Sequence, residues 1–405
     1  MEKKETMTEM NQNLQKNYFS KHLLDWYREH KRDLPWRRSR DPYYIWVSEV
    51  MLQQTRVDTV IPYWHRFLDK FPTVQALADA PEEEVLKAWE GLGYYSRARN
   101  LQLAVREVHE RYGGIVPDEK EAISSLKGVG PYTSGAVLSI AYNKPEPAVD
   151  GNVMRVLSRY FNLDDDIAKP RTRVMMEKLA QELIPEGAAG DFNQGLMELG
   201  ATVCTPKSPS CLTCPVMEHC AGRIAGKEDQ LPVKTKAKPP RPERRLMLLI
   251  EGTGEHAGKV LIRQRPQEGL LARMWELPHM ELEANSDVKS DKKRQAKAGK
   301  WVKRKEGTDP LVYKQEDEAY HAQIQGYMAT EEHIPVTASD WVMDVEHTFS
   351  HIQWQMSVYR GRIADEKAGV QGFLPFHYRW MAQEEMEKYA FPNVFIRVLD
   401  HYFDQ

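Results

Sequence analysis

The chain holds four cysteines, Cys204, Cys211, Cys214 and Cys220, all within one C-x6-C-x2-C-x5-C stretch. Thiolates so close in sequence can wrap one tetrahedral centre, and soft sulfur selects zinc or an iron-sulfur cluster. Without a secretion signal, disulfides are the disfavoured alternative; spacing alone leaves zinc and iron-sulfur level. Two carboxylates also stand in settings that suit chemistry. Glu49 lies in Trp46-Val47-Ser48-Glu49-Val50-Met51-Leu52-Gln53-Gln54-Thr55, where Ser48, Glu49, Gln53 and Gln54 form a polar set within an apolar helical segment. Such a helix lines a polar cleft. Asp150, in Val149-Asp150-Gly151-Asn152-Val153, precedes the helical pattern Val156, Leu157, Tyr160, and on local grounds it is an N-cap. In Leu126-Lys127-Gly128-Val129-Gly130-Pro131-Tyr132-Thr133, Gly128 and Gly130 let the backbone turn tightly and aim free amides of the next helix at one point, a place for an anion such as phosphate.

The elements that must position these groups are helical up to about residue 230. Asp41-Pro42 pairs an N-cap carboxylate with a first-turn proline and opens a helix through Tyr44, Ile45, Val47, Val50 and Met51. Pro81 with Glu82 to Glu84 opens another that Gly91 can close, and Tyr95 to Arg111 carries Ala98, Leu101, Ala104, Val105 and Val108 on one face before Gly113-Gly114. The spacing predicts a polar tail over 1–20, a helical domain over 21–230 with the glycine hairpin at 126–133 and the cysteine loop at 204–220, and a basic proline-rich linker over 231–245. Residues 246–405 read as an α+β domain. Leu246 to Glu251 and Lys259 to Arg263 flank a glycine-containing turn, Trp341 to Phe349 faces Ile352 to Ile363 as a second pairing, and Met381 to Phe403 returns to helix. The stretch Lys289 to Lys305 is either a solvated insertion or an arm that contacts phosphates.

A chain of 405 residues exceeds one ordinary core, in keeping with two domains. Its 56 basic and 59 acidic residues give a net charge of −3, which excludes polyanion binding by bulk charge but not by local patches. The longest aliphatic run, Leu246 to Ile250, is far short of the roughly 20 apolar residues a span needs. A cytoplasmic, non-membrane protein is expected.

The cysteine spacing matches the [4Fe-4S] loop of the endonuclease III family of DNA glycosylases, which favours that cluster over zinc. The glycine turn resembles the hairpin of the helix-hairpin-helix module, which grips phosphates without reading bases. With the string VSEVMLQQT, the chain resembles the MutY-type adenine DNA glycosylases across the helical core, the cysteine loop and the C-terminal domain. The resemblance implies a bacterial, nucleoid-associated monomer that removes adenine from 8-oxoguanine:adenine and guanine:adenine pairs in double-stranded DNA. Glu49 would protonate the base, and Asp150 would face the sugar, with Asn152 and Tyr132 arranging that carboxylate and its surroundings. Bifunctional relatives carry a lysine where this chain has Tyr132, so hydrolysis without strand cleavage is implied. Arg37 would line the base pocket, and Gln54, Leu92 and Tyr94 would probe or wedge the duplex, although Leu92 and Tyr94 can also be plain packing. Residues 246–400 resemble the Nudix-like domain of these enzymes through Gly269 to Pro278. No R-E-x-x-E-E run follows, so pyrophosphate hydrolysis is not expected. Phe349-Ser350-His351 resembles a loop that contacts 8-oxoguanine, with Ser350 hydrogen-bonding the lesion.

Overall fold

The computed structural model describes residues 7–282, 301, 303–304, 307, 310–364 and 374–404. Most of the basic stretch from Lys289 therefore lies outside the described residues; Arg304, near its end, pairs with Asp317 at 2.5 Å and is not displayed to solvent as part of an arm. The chain divides into two units. One comprises the chain up to Ala80 with Ser96–Lys236; the other joins Pro81–Tyr95 to Ala237 and beyond. No described helix is long and apolar enough to cross a membrane.

The first unit is built from α1 (Met7–His30), α2 (Pro42–Leu52), α3 (Val57–Lys70), α4 (Val74–Asp79), α6 (Ser96–Tyr112), α7 (Lys120–Ser125), α8 (Pro131–Tyr142), α9 (Gly151–Tyr160), α10 (Pro170–Leu183), α11 (Ala189–Thr202) and the short α12 (Ala221–Ile224). Residues 1–20 are not simply a polar tail. The chain is already helical at Met7, and Phe19, Leu23 and Tyr27, spaced four apart, are buried along one face of α1. Phe19, Leu23 and Leu24 pack with Val153, Leu157, Phe192 and Leu196 of α9 and α11. The cap at α2 forms as the sequence predicts: the Asp41 carboxylate accepts from the amides of Tyr43 at 2.8 Å and Tyr44 at 3.3 Å.

α5 (Glu82–Ala88) belongs to the second unit, although its position in the sequence places it inside the helical domain. The rest of that unit has two sheets. Strands β1 (Arg241–Ile250), β4 (His279–Glu281), β5 (Val336–Thr348) and β6 (Ile352–Ile363) form one in the order β4-β1-β6-β5; β2 (Val260–Gln264), β3 (Trp275–Glu276) and β7 (Tyr378–Met381) form the other in the order β3-β2-β7. The predicted β5–β6 hairpin is present and antiparallel. The strands either side of the glycine turn are not ladder partners: a single bridge joins Glu251 to Val260, and β1 instead runs parallel to β6.

The burial pattern explains this. Leu246, Leu248 and Ile250 face a core with α13 (Lys314–Thr330), while Met247 and Leu249 face one with α14 (Asn393–Phe403). A strand buried on both faces belongs at a sheet centre. The linker is also shorter than expected, because β1 starts at Arg241. Pro242 is tolerated there since β4 pairs only with Arg245 to Met247, leaving that end of β1 an edge.

Candidate active site and cysteine loop

Glu49 sits in the middle of α2 with only 5% of its surface exposed, beside the fully buried Ser48. It borders a cavity of about 160 Å3 whose wall includes Trp36, Arg37, Tyr132, Asp150, Asn152 and Glu198. That is far below the roughly 300–1,000 Å3 typical of drug-sized ligand sites, so it suits only a small group. Burial pushes the Glu49 carboxyl up to about 7, with Asp150 nearby adding to the rise; the Tyr132 hydroxyl and Arg37 oppose it. Tyr132 donates to Glu49 Oε2 at 2.5 Å.

Asp150 is both the N-cap that its local sequence implies and a member of the pocket. Its Oδ1 accepts from the Val153 amide at 2.7 Å and its Oδ2 from Asn152 Nδ2 at 2.8 Å, although burial still raises its pKa. Asn152 thus contacts Asp150 directly, whereas the Tyr132 hydroxyl bonds the neighbouring Glu49. Behind Asn152 stands a residue that sequence reasoning missed. Arg155 donates to Asn152 Oδ1 at 2.9 Å, to the Gly200 carbonyl at 2.7 Å and to the Cys204 carbonyl at 2.8 Å, so a chain of hydrogen bonds runs from Asp150 to the cysteine loop. Gly200 makes room for it: a Cβ there would stand 2.7 Å from the Asn152 Cβ.

Arg37 lines the pocket, and its guanidinium is held in the wall by Glu198 Oε2 at 2.8 Å rather than in an exposed ion pair. Glu198 was also missed. It is 1% exposed, accepts two further bonds from the Arg32 side chain at 2.7 and 2.9 Å, and although burial opposes ionisation the arginines hold it down at about 2. The signal existed, since Glu198 interrupts Leu196-Met197 and Leu199 much as Glu49 interrupts its own helix.

The hairpin at 126–130 joins α7 to α8. Gly128 has φ +76° and a Cβ there would meet Asn100 Cβ at 2.7 Å, so glycine is required. Gly130 is different: it caps α8 with φ −92° and has open space around its missing Cβ, so tight turning does not explain it. Openness beside the first turn of α8 leaves that helix end approachable. Gln54, just past α2, is exposed at φ +58°, and Arg97 fixes the preceding turn by donating to the carbonyls of Val50 at 2.7 Å, Met51 at 3.0 Å and Gln53 at 2.5 Å. Leu92 is buried at 6% exposure, whereas Tyr94 is 46% exposed at φ +48°. Of these two, Tyr94 is the side chain on display.

Cys204, Cys211, Cys214 and Cys220 are unbridged and border a shared cavity with Arg159 and Arg223. Four soft thiol donors around one cavity are a donor set that suits a metal centre, zinc or iron-sulfur. Arg159 closes the loop, donating to the Thr205 carbonyl at 2.7 Å and Cys204 Sγ at 3.4 Å.

In the second unit, Phe349-Ser350-His351 forms the tip of the β5–β6 hairpin. The Phe349 amide donates to the Ile352 carbonyl at 2.7 Å, and the Arg241 amide to the His351 carbonyl at 2.9 Å. The Phe349 ring packs edge-on against buried Trp354 at 4.8 Å, while Ser350 and His351 are exposed. The segment is thus a turn that presents the Ser350 and His351 side chains at the hairpin tip.

The HhH-GPD superfamily of base excision DNA repair proteins matches residues 47–186, the NUDIX domain residues 252–401, and the iron-sulfur binding domain of endonuclease III residues 204–220. The chain is 36% identical to the adenine DNA glycosylase of Homo sapiens over 95% of its own length and 73% of that protein's. To the Arabidopsis thaliana enzyme of the same name it is 38% identical over 65% of its length and 48% of the other's. Among solved structures, a thermostable thymine-DNA glycosylase superposes with a TM-score of 0.50 at 33% identity, covering 53% of this chain and 99% of that one. With a relative 36% identical over 95% of its length, the chain belongs to the adenine DNA glycosylase family.

Proposed function

We propose that this protein removes adenine opposite 8-oxoguanine, or opposite guanine, by hydrolysing the bond between base and deoxyribose. Adenine leaves poorly as an anion, so the base must gain a proton while positive charge builds on the sugar. The observation that carries this reading is Glu49: a nearly fully buried carboxyl, pushed up to about 7, in the same small pocket as Asp150. Protonated near neutral pH, Glu49 serves as general acid toward adenine N7. Asp150, held by an amide and by Asn152, stays in place to stabilise the sugar cation. Arg37 and Glu198 shape the wall against which the base lies.

A base inside a duplex cannot reach this pocket, so the adenine is flipped out. Gly128 and Gly130 present the α8 terminus to a phosphate, Gln54, Leu92 and Tyr94 meet the opened step, and Ser350 with Phe349 and His351 reads 8-oxoguanine. Leu92 must come out of its packed position to do so. Tyr132 offers no amine for a Schiff base, so the sugar is left as an abasic site. The four cysteines hold a [4Fe-4S] cluster that keeps the loop folded next to Arg159; purified protein should carry a visible absorbance that zinc, a d10 ion, cannot give.

The test is single-turnover reaction of duplexes carrying one 8-oxoguanine:adenine, guanine:adenine or thymine:adenine pair, with alkali added to half of each sample. Breaks that need alkali, appear with the first two pairs and fall about 10²–10⁴-fold in Glu49→Gln support the reading. Breaks without alkali that borohydride traps overturn the hydrolytic part, and no adenine release from any duplex overturns the whole.

A further inference from the structure

The turn that displays Tyr94 is fastened at both ends to one residue of the C-terminal segment. Before the turn, Glu90 Oε1 accepts from the Phe391 amide at 2.7 Å. After it, the Tyr95 hydroxyl donates to the Phe391 carbonyl at 3.5 Å while accepting from the Gly91 amide at 3.2 Å. Phe391 is itself 1% exposed, packed in the core with Trp275 and Phe395, so it is a rigid post.

Lys87 completes the fastening. Its ammonium has three donors, and all three are used: Glu90 Oε2 at 2.6 Å, the Met386 carbonyl at 3.0 Å and the Tyr389 carbonyl at 3.1 Å. Both side chains are largely covered, at 25% and 18% exposure, so these bonds are partly shielded from water. Between the anchors the backbone adopts left-handed conformations at Gly91 (φ +96°), Gly93 (φ +70°) and Tyr94 (φ +48°), and the Trp89 indole donates to the Gly93 carbonyl at 3.2 Å. A tyrosine in that region is strained, so it keeps this conformation only where its surroundings over-determine it.

We propose that Lys87 and Glu90 are positioning residues for adenine excision: Glu90 on the Phe391 amide, and Lys87 on Glu90 and on the Met386 and Tyr389 carbonyls, hold the Gly91–Tyr95 turn in the shape that presents Tyr94 to the duplex. The inference rests on the reading that Tyr94 meets the opened base step. Neither residue touches the base, so their effect should fall on opening the pair and spare the bond-breaking step.

The experiment uses the full chain with Lys87→Met, Glu90→Ala and Glu90→Gln, and two substrates of one sequence: adenine opposite 8-oxoguanine, and adenine opposite an abasic site, where no partner holds it in the stack. Lys87→Met and Glu90→Ala should slow single-turnover excision from the paired duplex about 10-fold, in line with the cost of a small misplacement, and from the unpaired one less than about 2-fold. Glu90→Gln keeps an oxygen for the Phe391 amide and should recover most of the paired rate. Equal losses on both substrates, which a general structural role would produce, or no loss on either, would overturn the proposal. Should Lys87→Met not fold, Glu90→Ala against Glu90→Gln decides alone. Tyr94→Ala run alongside separates the two ideas: if it slows paired excision and the Lys87 and Glu90 variants do not, only the positioning role fails; if it slows nothing, the reading of Tyr94 fails first.

Discussion

Two glutamates, one in each unit, are almost equally hidden from water and end in opposite states. Glu49 is 5% exposed and pushed up to about 7; Glu276 is 1% exposed and held far below the usual carboxylate range. Burial raises both, so burial cannot be what separates them. The difference lies in the partners. Glu276 meets His279 Nε2 at 2.9 Å, takes two bonds from Arg263 at 2.6 and 2.9 Å, and one from Arg265. Glu49 has one neutral donor, Tyr132, and feels Asp150 as a like charge. A sparsely partnered buried carboxyl keeps its proton toward neutrality; one surrounded by cations stays a fixed anion.

The largest effect expected from this contrast is structural. Glu276→Gln removes the charge that neutralises Arg263 and Arg265, and breaking a buried pair on one side costs about 3–5 kcal/mol. Because the folded pKa of Glu276 lies below its unfolded value, its contribution is complete above about pH 4.5 and fades as pH falls below that. Urea unfolding of the full chain at pH 8 should show the loss in the second unit's transition, shrinking toward acid. A loss under about 1 kcal/mol at pH 8 would mean that Glu332, which pairs with Arg263, makes up for the missing charge.

Glu49→Gln should act with the opposite sign. A carboxyl raised from 4.5 to about 7 is an increasing liability as pH climbs through that window, because the folded protein must ionise a group its pocket disfavours. The amide keeps shape without that demand. The variant should be more stable than the wild type by roughly 3 kcal/mol at pH 8 and indistinguishable near pH 4, read as melting temperatures by calorimetry. A variant less stable at pH 8 would show that ionised Glu49 is held by interactions stronger than Tyr132 supplies.

Sequence reasoning reached one side of this contrast more readily than the other. Glu49 was visible because a charged residue interrupts an apolar helical string, and Asp150 because a cap opens a helix. Glu276 sits in Met274-Trp275-Glu276-Leu277, a segment recognised only as part of a shared pattern. Its partners come from β2, from β4 and from the loop between β2 and β3, a meeting that follows from two-sheet packing no local period encodes. The same limit hid Glu198 from Arg37, 161 residues away, and Arg155 from Cys204. It also led β1 to be read as half of a hairpin, since a strand buried on both faces does not advertise its neighbour. The buried stripe of α1 was overlooked for a simpler reason: one apolar face on a helix rich in polar residues looks like a tail when composition is averaged.

The finest distinction concerns the hydrogen bond between Tyr132 and Glu49. If Glu49 is the proposed general acid, excision by wild-type protein should decline above about pH 7 as it loses its proton. A donor aimed at the carboxylate favours its ionised form, so the Tyr132 hydroxyl moderates the rise that burial imposes. Removing it in Tyr132→Phe should move the alkaline limb of the single-turnover profile upward by about half a unit to one unit, while the plateau at pH 6 changes less than about 3-fold. If the limb moves downward instead, the hydroxyl must be stabilising the protonated acid, accepting from Glu49 and donating elsewhere, for which Met197 Sδ at 3.4 Å is the acceptor within reach. The direction of that shift tells which partner holds the shared proton before adenine arrives.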